Sequence, residues 1–187
     1  KELNSCDSEQ ESKPKTKTKI KIKRLSRKMK KQQIKALFHR SWYQKQAGKY
    51  RFPLRNYLTS GWKKQLTPHP LFDPKYYIES NEIESSKNCP LVHFISIGYI
   101  EGYSPHPLFN TKWYYQTYPD VKESGINPLI HYLEFGAADG RNPCQEFDTQ
   151  WYLNAYPDVK ESGMNPLVHY IVDGKNEGRK MSQQDLG

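Results

Sequence analysis

The sequence predicts an all-α fold: four tandem helix-turn-helix units of about 38 residues, forming a short solenoid or compact bundle. Three observations predict it. The stretch Trp-Tyr-x-x-x-Tyr-Pro-Asp-Val-Lys-Glu-Ser-Gly-x-Asn-Pro-Leu-x-His-Tyr starts at Trp113 and again, 38 residues on, at Trp151. Helix caps and breakers (Asp, Asn, Pro, Gly) recur at fixed offsets within that period. All 25 aromatic residues lie at or after Phe38, and large aromatic side chains are an economical source of buried apolar area.

Recurrent anchors fix the unit boundaries. His93, His131 and His169 are 38 apart, as are Gly98, Gly136 and Gly174. Pro-Leu recurs at Pro53, Pro90, Pro128 and Pro166, and an aromatic pair at Trp42, Tyr76, Trp113 and Trp151. The units are therefore 38–68, 69–105, 106–143 and 144–182, followed by a tail at 183–187. The first departs most. Asn56 stands where the others have His, and the stretch from Tyr43 to Pro53 is short. Atypical terminal units are common in repeat arrays, because one face must meet solvent.

Ahead of the units, residues 1–37 form a basic arm or linker. They hold 13 Lys/Arg and four Asp/Glu, whereas the other 150 residues hold 16 of each. The net charge of +9 is thereby assigned to the arm. Lys13 to Lys35 has 12 basic and no acidic residues, so its first part is expected to be disordered by self-repulsion. From about Arg24 a modestly amphipathic basic helix is expected, with Leu25, Met29 and Leu37 on one side. Lys15, Lys17, Lys19, Lys21, Lys23, Arg24, Arg27, Lys28, Lys30 and Lys31 are the candidate contacts to an anionic surface, worth about 1 kcal/mol per basic residue near a charged bilayer and salt-sensitive. The bland alternative is a solvated linker. Nucleic acid is disfavoured, because no aromatic is interleaved to stack on bases.

Within a unit the fourth is clearest. Asp148 caps a first helix carrying Trp151, Tyr152, Ala155 and Tyr156. Pro157 breaks or redirects it, Asp158 caps a short turn through Val159 and Glu161, and Gly163 ends that turn. Asn165 then caps a second helix with Pro166 at its first position. Leu167, Tyr170 and Ile171 form its apolar stripe, and Gly174 occupies the place of a left-handed C-terminal cap. Gly178 marks a last turn. Helices this short are unstable alone, so their apolar faces must be buried against neighbours. The repeat-structural residues are accordingly Trp113, Asn127, His131, Gly136, Trp151, Asn165, His169 and Gly174.

No motif for nucleotide, phosphate, zinc-protease or serine-hydrolase chemistry is present. His93, His131 and His169 invite a zinc ladder. Units stacked at helix-packing distances of about 10 Å would hold them too far apart for one ion, whose ligands lie ~2 Å from it. A structural role for each His is expected, and no metal or cofactor. The repeated Asp120/Asp158 and Glu123/Glu161 read as caps and helix surface. Asp139-Gly140-Arg141 and Glu177-Gly178-Arg179 read as salt-bridged turns, with an anion-binding Arg row as the alternative, broken by Tyr103. Aromatics at helix spacing read as core, with a sugar platform left open. Cys6, Cys89 and Cys144 share no repeat position, which does not suggest a disulfide framework. Cys89 replaces a capping Asn. No apolar run approaches ~18 residues and no signal-peptide core is present. A cytoplasmic protein at the inner face of the membrane is expected. The chain starts at Lys1 without Met, and a fragment or processed form is expected.

The units resemble the repeats that accompany bacterial glycosyltransferases and rhamnan-synthesis-type polysaccharide biosynthesis proteins. The resemblance rests on His69-Pro70-Leu71-Phe72-Asp73, His106-Pro107-Leu108-Phe109-Asn110 and Tyr118-Pro119-Asp120-Val121. It rests also on Asn127-Pro128-Leu129-Ile130-His131-Tyr132 and on Gly174 with Glu177-Gly178-Arg179. It covers about residues 38–182. Unit one lacks the His and the Tyr-Pro-Asp turn, and unit two has Ser80-Asn81-Glu82-Ile83 in place of that turn. The resemblance implies a non-catalytic module, not an enzyme itself, beside a separate catalytic domain in a larger parent protein that would be the glycosyltransferase. Its partners would be that domain, another protein, a glycan or an anionic membrane. A free-standing scaffold or interaction protein is the alternative.

Overall fold

The structure is a computed structural model that describes residues 26–84 and 88–186. Among the described residues there are eleven α-helices and no strand. The all-α expectation holds.

The first helix of each unit is α2 (Arg40–Ala47), α4 (Pro74–Ser80), α6 (Thr111–Thr117) and α9 (Thr149–Ala155). Each begins on a side-chain acceptor: His39 Nδ1, Asp73, Asn110 and Asp148. The Asp148 carboxylate accepts from Trp151 N–H at 3.0 Å, as its position predicts. The second helices are α3 (Pro53–Thr59), α5 (Pro90–His93), α8 (Pro128–His131) and α11 (Pro166–His169), each with Pro at its first position. Asn127 and Asn165 cap α8 and α11, but Cys89 gives α5 no side-chain cap.

Two additional helices, α7 (Pro119–Ser124) and α10 (Pro157–Ser162), occur among the described residues only in units three and four. The Tyr-Pro-Asp-Val sequence creates them. Tyr118 and Tyr156 are non-helical, and the following Pro starts afresh. Gly125 and Gly163 close these helices in the left-handed conformation (φ 70° and 67°). Asp158 is not the cap expected of it. It sits inside the first turn of α10 and points to Arg179.

A second difference lies after α5, α8 and α11. Each continues into a π-helical turn, Phe94–Gly98, Tyr132–Gly136 and Tyr170–Gly174. Gly136 and Gly174 therefore are not left-handed caps. The chain runs on from both in right-handed helical geometry, and neither is among the positive-φ glycines. Their reason for being glycine is steric.

The backbone also closes each unit on itself. The N–H of each first-helix cap donates to the carbonyl that ends its own unit: His39 to Pro68 (2.8 Å), Asp73 to Pro105 (3.0 Å), Asn110 to Pro143 (3.1 Å). Asp148 donates likewise to Met181, at 3.1 Å. One apolar cluster runs from Leu37 to Leu167 through all four units, centred on Phe72, Phe94, Phe109, Phe147 and the wholly buried tyrosines. Only the second member of each aromatic pair is wholly buried in this core. Tyr43, Tyr77, Tyr114 and Tyr152 are wholly buried, whereas Trp113 and Trp151 are half-buried. Successive helical positions point about 100° apart, so one pair member sits at the centre of the core and the other at most along its edge, as Trp151 does.

The arm's helix is α1 (Arg27–Ala36), capped by Ser26 rather than starting at Arg24. It packs on the turn Phe94–Gly98, and Gln33 Oε1 accepts from Asn127 Nδ2 at 3.2 Å. Its apolar side differs from expectation. Ile34 packs on the core and Leu37 is wholly buried, but Met29 is 47% exposed. Leu25 lies outside the described residues.

Candidate functional site: the first unit and its basic face

The repeated polar residues serve each unit internally. In units two to four the buried Tyr hydroxyl meets a His Nδ1: Tyr77–His93 at 2.8 Å, Tyr114–His131 at 3.0 Å and Tyr152–His169 at 3.0 Å. Unit one achieves the same end with an amide. Tyr43 donates to Asn56 Oδ1 at 2.5 Å. Burial raises the pKa of all four hydroxyls, so they stay protonated at neutral pH. Burial also lowers the pKa of His93 and His131.

The glycine of each set exists for this tyrosine. A Cβ at Gly61, Gly98, Gly136 or Gly174 would lie 2.1, 2.0, 2.3 or 2.4 Å from the Tyr oxygen. No real Cβ tolerates such an approach. At Gly136 and Gly174 the neighbouring His Nδ1 would also be only 3.3 Å away. Tyr, its hydrogen-bond partner and Gly thus form one interlocked set per unit. Each His is paired within its own unit. Among the described residues no group of three His, Cys, Asp or Glu comes together to hold a metal.

The acidic-Gly-Arg corners belong to a second device, present in units three and four. Arg141 bonds both Asp120 oxygens at 2.8 and 3.0 Å, and Arg179 bonds those of Asp158 at 2.7 and 2.9 Å. Each guanidinium also lies over a ring, Arg141 on Tyr118 at 5.0 Å and Arg179 on Tyr156 at 4.8 Å. The tyrosine hydroxyls accept from Asn142 and Lys180 N–H, both at 2.8 Å. Glu177 and Asp139 add the expected local bridges. The Tyr-Pro-Asp turn and the Gly-Arg corner, about 21 residues apart, are two halves of one clamp. In unit two, Tyr103 replaces the Arg and stacks on His93 at 6.3 Å.

A further histidine pair lies at the joints. His69 Nδ1 accepts from Leu71 N–H at 3.0 Å and His106 Nδ1 from Leu108 N–H at 3.1 Å. Burial, reinforced by nearby His39 and His106, lowers His69 to about 3. Burial lowers His106 to about 4. In the fourth unit this place is taken by Cys144, whose thiol burial pushes up to about 12. Cys89 is likewise raised by burial. Both thiols are buried and unpaired, and at neutral pH neither is a thiolate nucleophile.

Of the predicted anionic-surface residues, Arg27, Lys28 and Lys31 are exposed on α1 and Lys30 is half-buried; Lys15, Lys17, Lys19, Lys21, Lys23 and Arg24 lie outside the described residues. Charge is arranged more sharply than a division at Phe38 suggests. The neutrality of residues 38–187 averages two opposites. Unit one has seven Lys/Arg and no Asp/Glu, while residues 69–187 have nine and 16, a net −7. Residues 13–68 as a block carry 19 basic and no acidic residues.

On this basic unit opens a groove of about 630 Å³. Phe38, Leu54 and Leu58 form its less exposed walls, and Arg40, Arg51, Arg55 and Phe52 its exposed border. Phe52 is 58% exposed, with the Arg51 guanidinium over its ring at 5.2 Å. Repeat periodicity does not single these residues out, because the first unit departs most from the repeat; the unit's lack of any acidic residue is the available signal.

No family model, curated protein or solved structure matches this chain.

Proposed function

We propose that this chain is a non-catalytic repeat module of a glycosyltransferase or cell-surface polysaccharide biosynthesis protein, positioning the enzyme, a partner or the glycan. The observation that carries the reading is where the repeated polar groups go. The Tyr–His sets of units two to four and the Asp–Arg clamps of units three and four each close within a single unit, so the repetition serves folding. The His-Pro-Leu-Phe and Asn-Pro-Leu-x-His motifs supply the link to polysaccharide assembly. Such a module sits at the inner face of the membrane, with the arm and first unit supplying attraction to it. No helix among the described residues is long and apolar enough to cross a bilayer.

The test is to incubate the full chain with nucleotide sugars and acceptor glycans while measuring its binding to surface polysaccharide and to co-expressed glycosyltransferases. The expected result is saturable binding with no sugar transfer above the buffer blank. Nucleotide-sugar turnover abolished by one point substitution would overturn the reading. A free-standing scaffold is the second reading, favoured by the division of charge between residues 13–68 and 69–187. It predicts retention on an anionic surface with no hold on glycan or glycosyltransferase.

A further inference from the structure

We propose that the groove of unit one is a seat for an anionic phospholipid of a bilayer surface, with acyl chain against its apolar walls and phosphate among Arg40, Arg51 and Arg55. This deepens the membrane part of the module reading and rests on it; binding to glycan or glycosyltransferase is tested separately.

The argument is one of complementary chemistry. The groove is lined mainly by apolar side chains, yet three of its residues are arginines. Unit one has no acidic residue of its own to neutralise them. A fitting occupant has an apolar body next to a negative head. Guanidinium groups suit phosphate because their planar donor fork matches its oxygens. Phe52 is exposed beside Arg51 and Arg55, the pairing of apolar wedge and cationic flank that interfacial anchors use. The rest of the basic block, from Lys13 onward, adds the long-range attraction that brings the groove to the surface.

Two other occupants fit less well. Nucleic acid would satisfy the arginines but leave Phe38, Leu54 and Leu58 without an apolar partner. A second copy could present Phe135, 54% exposed beside Glu134, but a single aromatic knob occupies a small part of the groove.

The experiment is co-sedimentation of the full chain with vesicles of phosphatidylcholine, alone or mixed with phosphatidylglycerol, at ~0.1 M salt, where screening acts over ~10 Å. Arg51→Gln/Arg55→Gln should lower partition to the mixed vesicles about 30-fold, from ~1 kcal/mol per basic residue. Phe52→Ala should lower it about tenfold without changing the salt slope, since only apolar contact is lost. Lys63→Gln/Lys64→Gln, on exposed residues outside the groove, should cost clearly less than the arginine pair. Phe52→Trp should become quenchable by acyl-brominated lipid beyond any quenching of the four native tryptophans. Circular dichroism verifies that each variant is folded.

Equal losses for the lysine and arginine pairs, with none for Phe52→Ala, would mean diffuse charge alone and overturn the seat. Unchanged vesicle binding by all variants, with loss of a concentration-dependent dimer in Phe52→Ala and Phe135→Ala, would overturn it in favour of a second copy. Loss confined to oligonucleotide binding in the arginine variant would overturn it in favour of nucleic acid.

Discussion

Unit one and unit three share an interior and differ in almost everything around it. Tyr43, Asn56 and Gly61 reproduce the interlock of Tyr114, His131 and Gly136, with an amide in place of an imidazole. Around that set, unit three has α7 and the Asp120–Arg141 clamp, and unit one has neither. Instead it carries seven basic residues and the open groove. The pair shows what the repeat requires, a tyrosine, a hydrogen-bonding partner and a glycine, and what it leaves free. Function is best sought in the free part.

The shared interior is tested first, because its loss is costliest. Gly136→Ala drives a methyl into the Tyr114 hydroxyl and against His131. Overpacking plus a broken buried hydrogen bond should cost about 3 kcal/mol, read as a lower urea midpoint at unchanged slope. Gly61→Ala should cost nearly as much, since its clash with Tyr43 is as close. A silent Gly61→Ala would break the equivalence of the two units.

Removing only the hydroxyl separates them more finely. Tyr114→Phe leaves the buried His131 Nδ1 without its partner, an expected cost of about 2 kcal/mol. Tyr43→Phe should cost roughly half that, because Asn56 is only half-buried and water can replace the phenol. Equal costs in chemical melts of the two variants would show that solvent does not reach Asn56.

These contrasts also mark what the sequence could reveal. Period and caps were legible because Asp148, Asn165, Pro166 and Gly163 act within a few residues of themselves. The role of Gly136 was not. Its constraint comes from Tyr114, 22 residues away in sequence, and the π-helical turn that brings them together leaves no local signature. Asp158 misled for the same reason, since Arg179 is 21 residues distant. The groove was half legible. The acid-free stretch is plain in the sequence, but which of its arginines share a cleft with Phe52 needs the fold.

Acid should loosen the N-terminal joints before the last one. His69 and His106 are held at about 3 and about 4, below the ~6.5 of an unfolded chain. Both stay neutral in the folded state while the unfolded state takes up protons below pH ~6.5. Their contribution is therefore complete above that pH and is lost as pH falls toward 4, by up to about 1.4 kcal/mol per pH unit for each. His93 and His131 act in the same direction. The fourth unit has Cys144 at this place, which does not titrate in the window. Hydrogen exchange between pH 7 and 4.5 should show protection falling first at Phe72 and Phe109 N–H, beside the two histidines, and later at Tyr152 N–H. Uniform loss along the chain would dissolve this distinction between joints.

The smallest effect belongs to the clamp, the feature that most visibly separates unit three from unit one. Arg141→Gln removes one guanidinium nitrogen's bonds to both Asp120 oxygens and a guanidinium stacked on Tyr118. The Arg141 hydrogen bond holds the Asp120 carboxyl below its usual range, but Asp120 faces solvent, so water and salt screen the loss. The midpoint of urea unfolding should fall slightly at low salt, and the difference should fade as salt is raised. At the pH of the histidine transition the carboxylate is still charged, so the variant should leave that transition in place. Units one and two are folded with no such Arg–Asp clamp, unit one with a plain second helix and unit two with Tyr103 against His93. A large, salt-independent loss in Arg141→Gln would therefore contradict the equivalence of the four interiors, because it would make the clamp a requirement that half of the molecule does not meet.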